Sequence, residues 1–139
     1  MFEVREMPHA APLRIVVVDD HVAVRRAVCS LLRSQPDFEV TCEAADGLEA
    51  IQKAQELRPD VIVLDISMPE LNGLQAARQI RQVAPESEVV FLSQHRASDI
   101  IHEALAIGAR GYVCKSHIAS DLVDAVRAAG QIRTLPGSS

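Results

Sequence analysis

The feature of this sequence that most constrains its fold is a series of short, unbroken apolar runs, such as Ile15-Val16-Val17-Val18 and Val89-Val90-Phe91-Leu92. A strand with one face in water alternates apolar and polar residues, whereas a strand covered on both faces does not. The runs therefore predict a parallel sheet with helices packed on each face. Five strands are predicted, at residues 14–18, 38–44, 61–64, 88–92 and 111–113.

The stretches that follow the strands carry apolar residues at helical spacing, which predicts five helices. Asp46 with Glu49 three residues later is a capping-box pattern at the start of the second helix. Pro85 predicts the end of the third helix, and Gly108 predicts a C-cap for the fourth. Alternating strands and helices with short connections indicate an α/β doubly wound fold, with a five-stranded parallel sheet and five helices.

Length and composition indicate one globular domain. The chain has 139 residues, of which 48% are hydrophobic and 24% are charged. Residues 1–12 are predicted to be a flexible lead-in, residues 13–130 the folded domain, and residues 131–139 a tail or the start of a linker. The three cysteines match no zinc or redox motif, which favours small buried hydrophobes in a reducing compartment.

Charge and hydropathy exclude several function classes. The net charge is −5, and no basic cluster is present in the linear sequence, so we expect no DNA contact from this chain. No apolar run approaches the length that spans a membrane, and the N-terminus has no signal-peptide core. These features predict a cytoplasmic protein without a membrane partner.

Polar residues follow several of the predicted strands, at the end of the sheet where ligands bind in doubly wound folds. Asp19 and Asp20 follow the first strand, and Asp65 ends the third. An acid at a strand-to-helix turn often only caps the helix. Three clustered carboxylates repel one another, however, and favour a bound cation. Mg²⁺ binds to one or two carboxylates and keeps several waters, so it is the predicted ion.

Asp65, Ser93 and Lys115 together predict chemistry at this edge. A carboxylate beside a metal can attack phosphorus and form an aspartyl phosphate. The Ser93 hydroxyl can donate to a phosphoryl oxygen, and Lys115 can pair first with carboxylates and then with phosphate. Taken alone, each has a simpler role, as a turn residue, a cap or a solvated surface charge.

The order and spacing of these residues resemble the receiver domains of bacterial two-component response regulators, over roughly residues 13–130. The NarL/FixJ-type subfamily is the most similar in its motifs. The residues that carry the resemblance are Asp19-Asp20-His21, Asp65-x-x-Met68-Pro69-x-x-x-Gly73, Ser93 and Tyr112-Val113-Cys114-Lys115.

The resemblance implies a flavodoxin-like receiver fold and a phosphorylation-dependent signalling switch. Asp65 would be the phosphoacceptor, and a histidine kinase or phosphotransfer protein the donor. Asp20, Asp65 and the backbone carbonyl of Ser67 would bind Mg²⁺, with Asp19 acting mostly through a metal-bound water. The chain would catalyse only its own phosphorylation and dephosphorylation, and it would be able to form a homodimer.

By the same resemblance, Ser93 and Tyr112 would form the switch pair and Lys115 would hold the phosphoryl group. Gln94 is bulkier than the residue often found there, and we expect it to slow phosphoryl loss. His95 is expected to be a surface histidine, and the histidines show no metal-ligand spacing. NarL/FixJ-type regulators usually carry a helix-turn-helix domain, so this chain is either a stand-alone receiver or part of a longer regulator.

Three other readings share parts of this pattern. A pseudo-receiver would bind a protein partner without phosphate, but the complete set of acids, hydroxyl and lysine argues against it. A haloacid-dehalogenase-like phosphatase needs an Asp-x-Asp motif, whereas Asp65-Ile66-Ser67 lacks the second acid. A flavin binder of this fold needs a phosphate loop after the first strand, where Asp19 and Asp20 would repel the phosphate.

Overall fold

A computed structural model describes residues 11–94 and 98–134. Its strands are β1 (Leu13–Val18), β2 (Phe38–Ala44), β3 (Val61–Asp65), β4 (Glu88–Ser93) and β5 (Gly111–Cys114). Its α-helices are α1 (Val22–Arg33), α2 (Gly47–Leu57), α3 (Gly73–Val83), α4 (Ser98–Ile107) and α5 (Ile118–Thr134). A short 3₁₀ turn, Lys115–His117, leads into α5.

The five strands form one parallel sheet in the order β2-β1-β3-β4-β5. This is the doubly wound order of flavodoxin-like folds, and the chain changes direction across the sheet between β1 and β3. The predicted fold class is therefore confirmed. Each predicted strand is present, with ends that differ by no more than one residue.

Alternate residues of the central strands enter two aliphatic cores, one on each face of the sheet. Val16 and Ile62 belong to the core beneath α2, α3 and α4, whereas Val17 and Val63 belong to the core beneath α1 and α5. All four side chains are fully buried. Burial on both faces explains why these strands show no polar alternation.

The helix boundaries follow the local signals in the sequence. The Asp46 side chain accepts a hydrogen bond from the Glu49 backbone N–H at 2.8 Å, which caps α2. Asn72 and Gln75 form a reciprocal capping box at the start of α3. Gly108 has a φ of +105° after α4, a left-handed conformation that glycine adopts without strain.

The last helix continues to Thr134, beyond Gly130, where the sequence pattern placed the end of the folded domain. A Cβ atom at Gly130 would lie 2.6 Å from Leu13 Cδ1, so glycine here permits close packing of α5 on β1. Residues 1–10 of the predicted lead-in (1–12) and residues 135–139 of the predicted tail (131–139) lie outside the described residues. Within the described ranges, no helix combines the length and apolar composition needed to cross a membrane.

The three cysteines are all free thiols. Cys29 is buried, and burial raises the pKa of its thiol to about 11. Cys42 and Cys114 are half-buried. The predicted burial is thus confirmed for Cys29 and only partial for the other two.

Candidate metal and phosphoacceptor site

The carboxyl ends of β1 and β3 bring Asp19 and Asp65 together at one edge of the sheet. Val18 pairs with Leu64 in the register of these strands, so the acid after each lies at the same level. Both aspartates are 0% exposed. Two buried acids on neighbouring strands are costly unless a cation lies close to them.

Lys115, directly after β5, supplies a positive charge to both acids. Its Nζ atom lies 3.0 Å from Asp19 Oδ2 and 3.2 Å from Asp65 Oδ2, and its side chain is only 10% exposed. Burial by itself would lower the pKa of Lys115, but the two carboxylates outweigh it and raise that pKa. Lys115 is therefore a permanent cation in this site.

One lysine does not neutralise the acids completely. Burial, together with repulsion from Asp19, raises the pKa of Asp65 from 3.8 to about 6, although Lys115 and the Ser67 N–H oppose the change. The oxygens Asp19 Oδ2, Asp20 Oδ1 and Asp65 Oδ2 are buried, and none accepts a hydrogen bond of ordinary geometry. The contacts from Lys115 are thus close ion pairs at 3.0 and 3.2 Å rather than hydrogen bonds of ordinary geometry.

The turn after β1 holds Asp19 in place. Asp19 Oδ1 accepts a hydrogen bond from the His21 backbone N–H at 2.8 Å, and the Asp19 carbonyl accepts one from Arg25 Nη1 at 2.7 Å. The N-cap residue of α1 is His21, and its side chain makes no capping bond. Helix capping, the simpler role considered for Asp19 and Asp20, is therefore not the role that the structure gives Asp19.

The turn after β3 explains the motif around Gly73. A Cβ atom at Gly73 would lie 2.2 Å from the Asp65 carbonyl oxygen, so only glycine fits where α3 begins. The Gly73 N–H donates to the Ile66 carbonyl at 2.9 Å, and the Ser67 N–H donates to Asp65 Oδ1 at 3.1 Å. These bonds fix one carboxylate oxygen of Asp65.

Ser93 and Tyr112 lie on neighbouring strands beside the acids. Ser93 ends β4 and is 1% exposed, one residue beyond Leu92, which pairs with Asp65. Tyr112 pairs with Phe91 and packs, half-buried, against the core beneath α2, α3 and α4. A change at the end of β4 therefore has a short path to the tyrosine.

The acidic cluster has the donors that a divalent ion needs. Ligand atoms of Asp19, Asp20, His21 and Asp65 all lie within 4.8 Å of one another. Oxygen donors suit Mg²⁺, and a cation would satisfy the three buried oxygens that accept no hydrogen bond. The residues thus fit the predicted ion.

A family model described as "Response regulator receiver domain" matches residues 15–127. This chain belongs to the response regulator receiver family. The match covers β2 to β5, β1 from residue 15 onward and the first part of α5, and it includes the acidic edge of the sheet.

Relatives of this receiver domain support the predicted NarL/FixJ-type subfamily. It is 36% identical to the response regulator protein VraR of Staphylococcus saprophyticus, covering 84% of this chain and 56% of VraR. It is 37% identical to the transcriptional regulatory protein DegU of Brevibacillus brevis, covering 86% of this chain and 50% of DegU. The chain thus spans about half the length of the curated relatives it matches.

A solved structure agrees with this assignment. A two-component response regulator of the LuxR family from Aurantimonas is similar at a TM-score of 0.84 and 36% identity, covering 88% of each chain. The receiver fold and the subfamily are therefore supported by both sequence and structure.

The receiver domain brings most of the predicted site residues together. Asp19, Asp65 and Lys115 are in direct contact, and Asp20 lies within the same cluster. The ring of His21 also joins the acids, although the sequence predicted His21 only as part of the Asp19-Asp20-His21 motif and not as a site residue, because the histidines show no metal-ligand spacing. Its position directly after two acids was the available signal. His95 lies outside the described residues.

Proposed function

We propose that this receiver domain is a phosphorylation-dependent signalling switch that accepts a phosphoryl group on Asp65. The donor would be a phosphohistidine of a histidine kinase or phosphotransfer protein. The observation that carries the proposal is a fully buried aspartate 3.2 Å from a lysine, with a pKa raised to about 6 by burial and by Asp19. Perturbed, clustered groups of this kind mark functional sites.

In the proposed reaction, a carboxylate oxygen of Asp65 forms a bond to phosphorus as the N–P bond of the phosphohistidine breaks. The imidazole leaves with the electron pair and takes up a proton. The product on Asp65 is an acyl phosphate. Lys115 already contacts the same carboxylate, so it can pair with a phosphoryl oxygen as negative charge moves outward.

Asp20, Asp65 and the Ser67 carbonyl would hold Mg²⁺, and Asp19 would act mostly through a bound water. When bound, the ion would supply positive charge beside the transferring phosphoryl group. The protein's own contribution is the fixed turn after β1, in which the His21 N–H and Arg25 hold Asp19. The buried oxygens without aligned donors support this assignment.

The output of the switch would pass through Ser93 and Tyr112. A phosphoryl group adds charge and three acceptor oxygens at Asp65, and the Ser93 hydroxyl can donate to them. Movement of Ser93 would shift the chain after β4, and Tyr112 would turn toward the space that opens. The surface of α4, β5 and α5 would then change shape.

Intact mass spectrometry tests the phosphoacceptor. Incubation with Mg²⁺ and acetyl phosphate should add one phosphoryl group to the wild-type chain and none to Asp65→Asn. Asp60→Asn is the matched control, because Asp60 directly precedes β3 at the opposite end of the sheet and its substitution should leave uptake unchanged. If the wild-type chain gains no phosphoryl group under any small donor, it is a phosphorylation-independent binding module instead.

Amide NMR spectra test the coupling. Mg²⁺ with a phosphate mimic should shift amide signals of β5 and of α4 in the wild-type chain. Ser93→Ala should reduce these shifts while the mimic still binds. Unchanged signals on that face of the wild-type chain would disprove the proposed path.

The rest of the signalling pathway would be supplied by partners. Because the relatives are about twice as long, a helix-turn-helix domain in a longer parent protein would make any DNA contact, not this receiver. Homodimer formation on phosphorylation remains a prediction. Size-exclusion chromatography with and without the phosphate mimic measures it directly.

A further inference from the structure

The ring of His21 lies among the acids of the candidate site without an assigned role. Its Nδ1 atom is 3.3 Å from Asp19 Oδ1 and 3.3 Å from Asp20 Oδ1. The resemblance to receivers assigns carboxylates and a carbonyl to the metal, all of them oxygen donors. A nitrogen donor in the same cluster changes which ions the site prefers.

The spacing of these atoms suits direct coordination. Six ligands at about 2.1 Å from an octahedral ion are about 3 Å apart at neighbouring positions and about 4.2 Å apart at opposite positions. Both distances from His21 Nδ1 are close to the first value. The separation of all four donors, within 4.8 Å, is close to the second.

The His21 ring shares a hydrogen bond with Asp19 Oδ1 at 3.3 Å, a contact that a bound ion would replace. His21 is the N-cap of α1, but its side chain makes no capping bond. The turn is held instead by the His21 backbone N–H, which donates to Asp19 Oδ1 at 2.8 Å. The ring is 56% exposed, so it can reorient toward an ion without disturbing the core.

A second observation points to a ligand at this place. Asp19 Oδ2 and Asp65 Oδ2 belong to fully buried side chains, and neither accepts a hydrogen bond of ordinary geometry. Lys115 is the cation that contacts both oxygens. An additional cation beside His21 would complete the neutralisation of the cluster.

We propose that His21 Nδ1 is a direct metal ligand and that it makes this site selective for first-row transition ions over Mg²⁺. Imidazole nitrogen binds ions such as Ni²⁺, Co²⁺ and Mn²⁺ well, whereas Mg²⁺ prefers oxygen. This inference rests on the proposed metal site of the switch. It adds a ligand and an ion class to that site, and it leaves the role of Asp65 unchanged.

Electron paramagnetic resonance of bound Mn²⁺ tests the ligand. The echo-modulation spectrum of Mn²⁺ on the wild-type chain should show coupling to an imidazole nitrogen. The coupling should disappear in His21→Gln and persist in His102→Gln, the matched control on the exposed surface of α4. Bound Mn²⁺ without nitrogen coupling in the wild-type chain would overturn the proposal, whatever the variants do.

Displacement of the bound Mn²⁺ tests selectivity, since ions bound elsewhere on the surface do not displace it. His21→Gln should weaken Ni²⁺ by at least about tenfold, because even indirect partners of metal ligands contribute roughly 10–100-fold. Its affinity for Mg²⁺ should change by less than about threefold. An equal loss for both ions would show that His21 only orients the carboxylates, and the proposal would be wrong.

Phosphoryl uptake in Mg²⁺ separates this inference from the proposed function. If the wild-type chain is phosphorylated on Asp65 but its Mn²⁺ shows no nitrogen coupling, the switch stands and the His21 ligand is wrong. Failure to bind any divalent ion would overturn both. Thermal melting of His21→Gln without metal should stay close to that of the wild-type chain, because the ring is 56% exposed and glutamine can also donate a hydrogen bond to Asp19 Oδ1.

Discussion

Acids lie at both ends of the central sheet, but their surroundings differ. At the amino end, Asp60 Oδ2 accepts a hydrogen bond from the Arg14 backbone N–H at 2.8 Å. Glu88 forms an ion pair there with Arg110 at 3.1 Å. These acids have aligned donors, and Arg110 is partly open to water, so their charge costs little.

At the carboxyl end, the aligned backbone donors reach only the Oδ1 atoms of Asp19 and Asp65. Asp19 and Asp65 are fully buried, and Lys115 supports both of them without aligned hydrogen bonds to their Oδ2 atoms. Buried negative charge is therefore only partly compensated at the carboxyl end of the sheet, whereas the acids at the amino end are compensated by their partners. A cation therefore has most to gain by binding at the carboxyl end of the sheet.

Removing the lysine should give the largest effect. Lys115→Met leaves two buried carboxylates without their cation, and we expect a loss of about 3–5 kcal/mol in the free energy of unfolding at pH 8. The loss should shrink as the pH falls, because protonation neutralises the acids. Urea denaturation at pH 8 and pH 5 measures both effects.

The matched variant at the other end is Arg110→Met. It removes one cation from a partly exposed pair, and we expect a loss of less than about 1 kcal/mol. Equal losses of stability in Lys115→Met and Arg110→Met would show that the two ends of the sheet do not differ in this respect.

Replacing an aspartate by asparagine should change the free energy of unfolding in opposite directions at the two ends of the sheet. Asp65→Asn should stabilise the metal-free protein by about 2–3 kcal/mol at pH 7, since a pKa raised from 3.8 to about 6 means that the charge opposes folding. Asp60→Asn should destabilise it by about 1 kcal/mol, because it weakens the bond from the Arg14 N–H. Urea denaturation with a metal chelator compares the two, and a loss of stability in Asp65→Asn would contradict this picture.

The pH dependence of stability should also show that the charge of Asp65 is unfavourable in the folded protein. Between pH values near 3.8 and 6, the folded Asp65 binds more protons than the unfolded one, so its contribution to the free energy of unfolding falls as the pH rises. The slope from this one group is at most about 1.4 kcal/mol per pH unit. Subtracting the profile of metal-free Asp65→Asn from that of the wild-type chain isolates it. If the wild-type chain instead became more stable relative to Asp65→Asn as the pH rose, the pKa of Asp65 would be lowered in the folded protein and not raised.

The smallest effect is expected for Gln94, at the exposed surface of the carboxyl end of the sheet. Gln94 follows β4 and is exposed, and its side chain is expected to restrict water approaching the phosphoryl group. Gln94→Ala should speed phosphoryl loss by roughly threefold, or about 0.7 kcal/mol in the barrier. Intact mass measured over time after removal of the donor gives the rate. Equal rates for the wild-type chain and Gln94→Ala would show that the Gln94 side chain does not affect phosphoryl loss.

Most of the fold could be predicted, because an unbroken apolar run indicates a strand that is buried on both faces. The site acids could also be predicted, since the carboxyl ends of parallel strands meet at one edge. Two details could not. The sequence pattern places the end of the folded domain at residue 130, whereas α5 continues to Thr134 and Gly130 packs on Leu13, a residue far away in sequence. The position of His21 directly after two acids indicates that it lies near them, but the conformation of the turn after β1 decides that its ring joins the cluster.

The packing of Gly130 against Leu13 has a practical consequence for handling this domain. The first strand begins, and the last helix nears its end, at the end of the sheet opposite the acids. A short peptide joining these positions would permit a circular permutant with new termini in a surface loop. A surface anchor or fluorescent tag attached here would leave the acidic edge open to a phosphodonor.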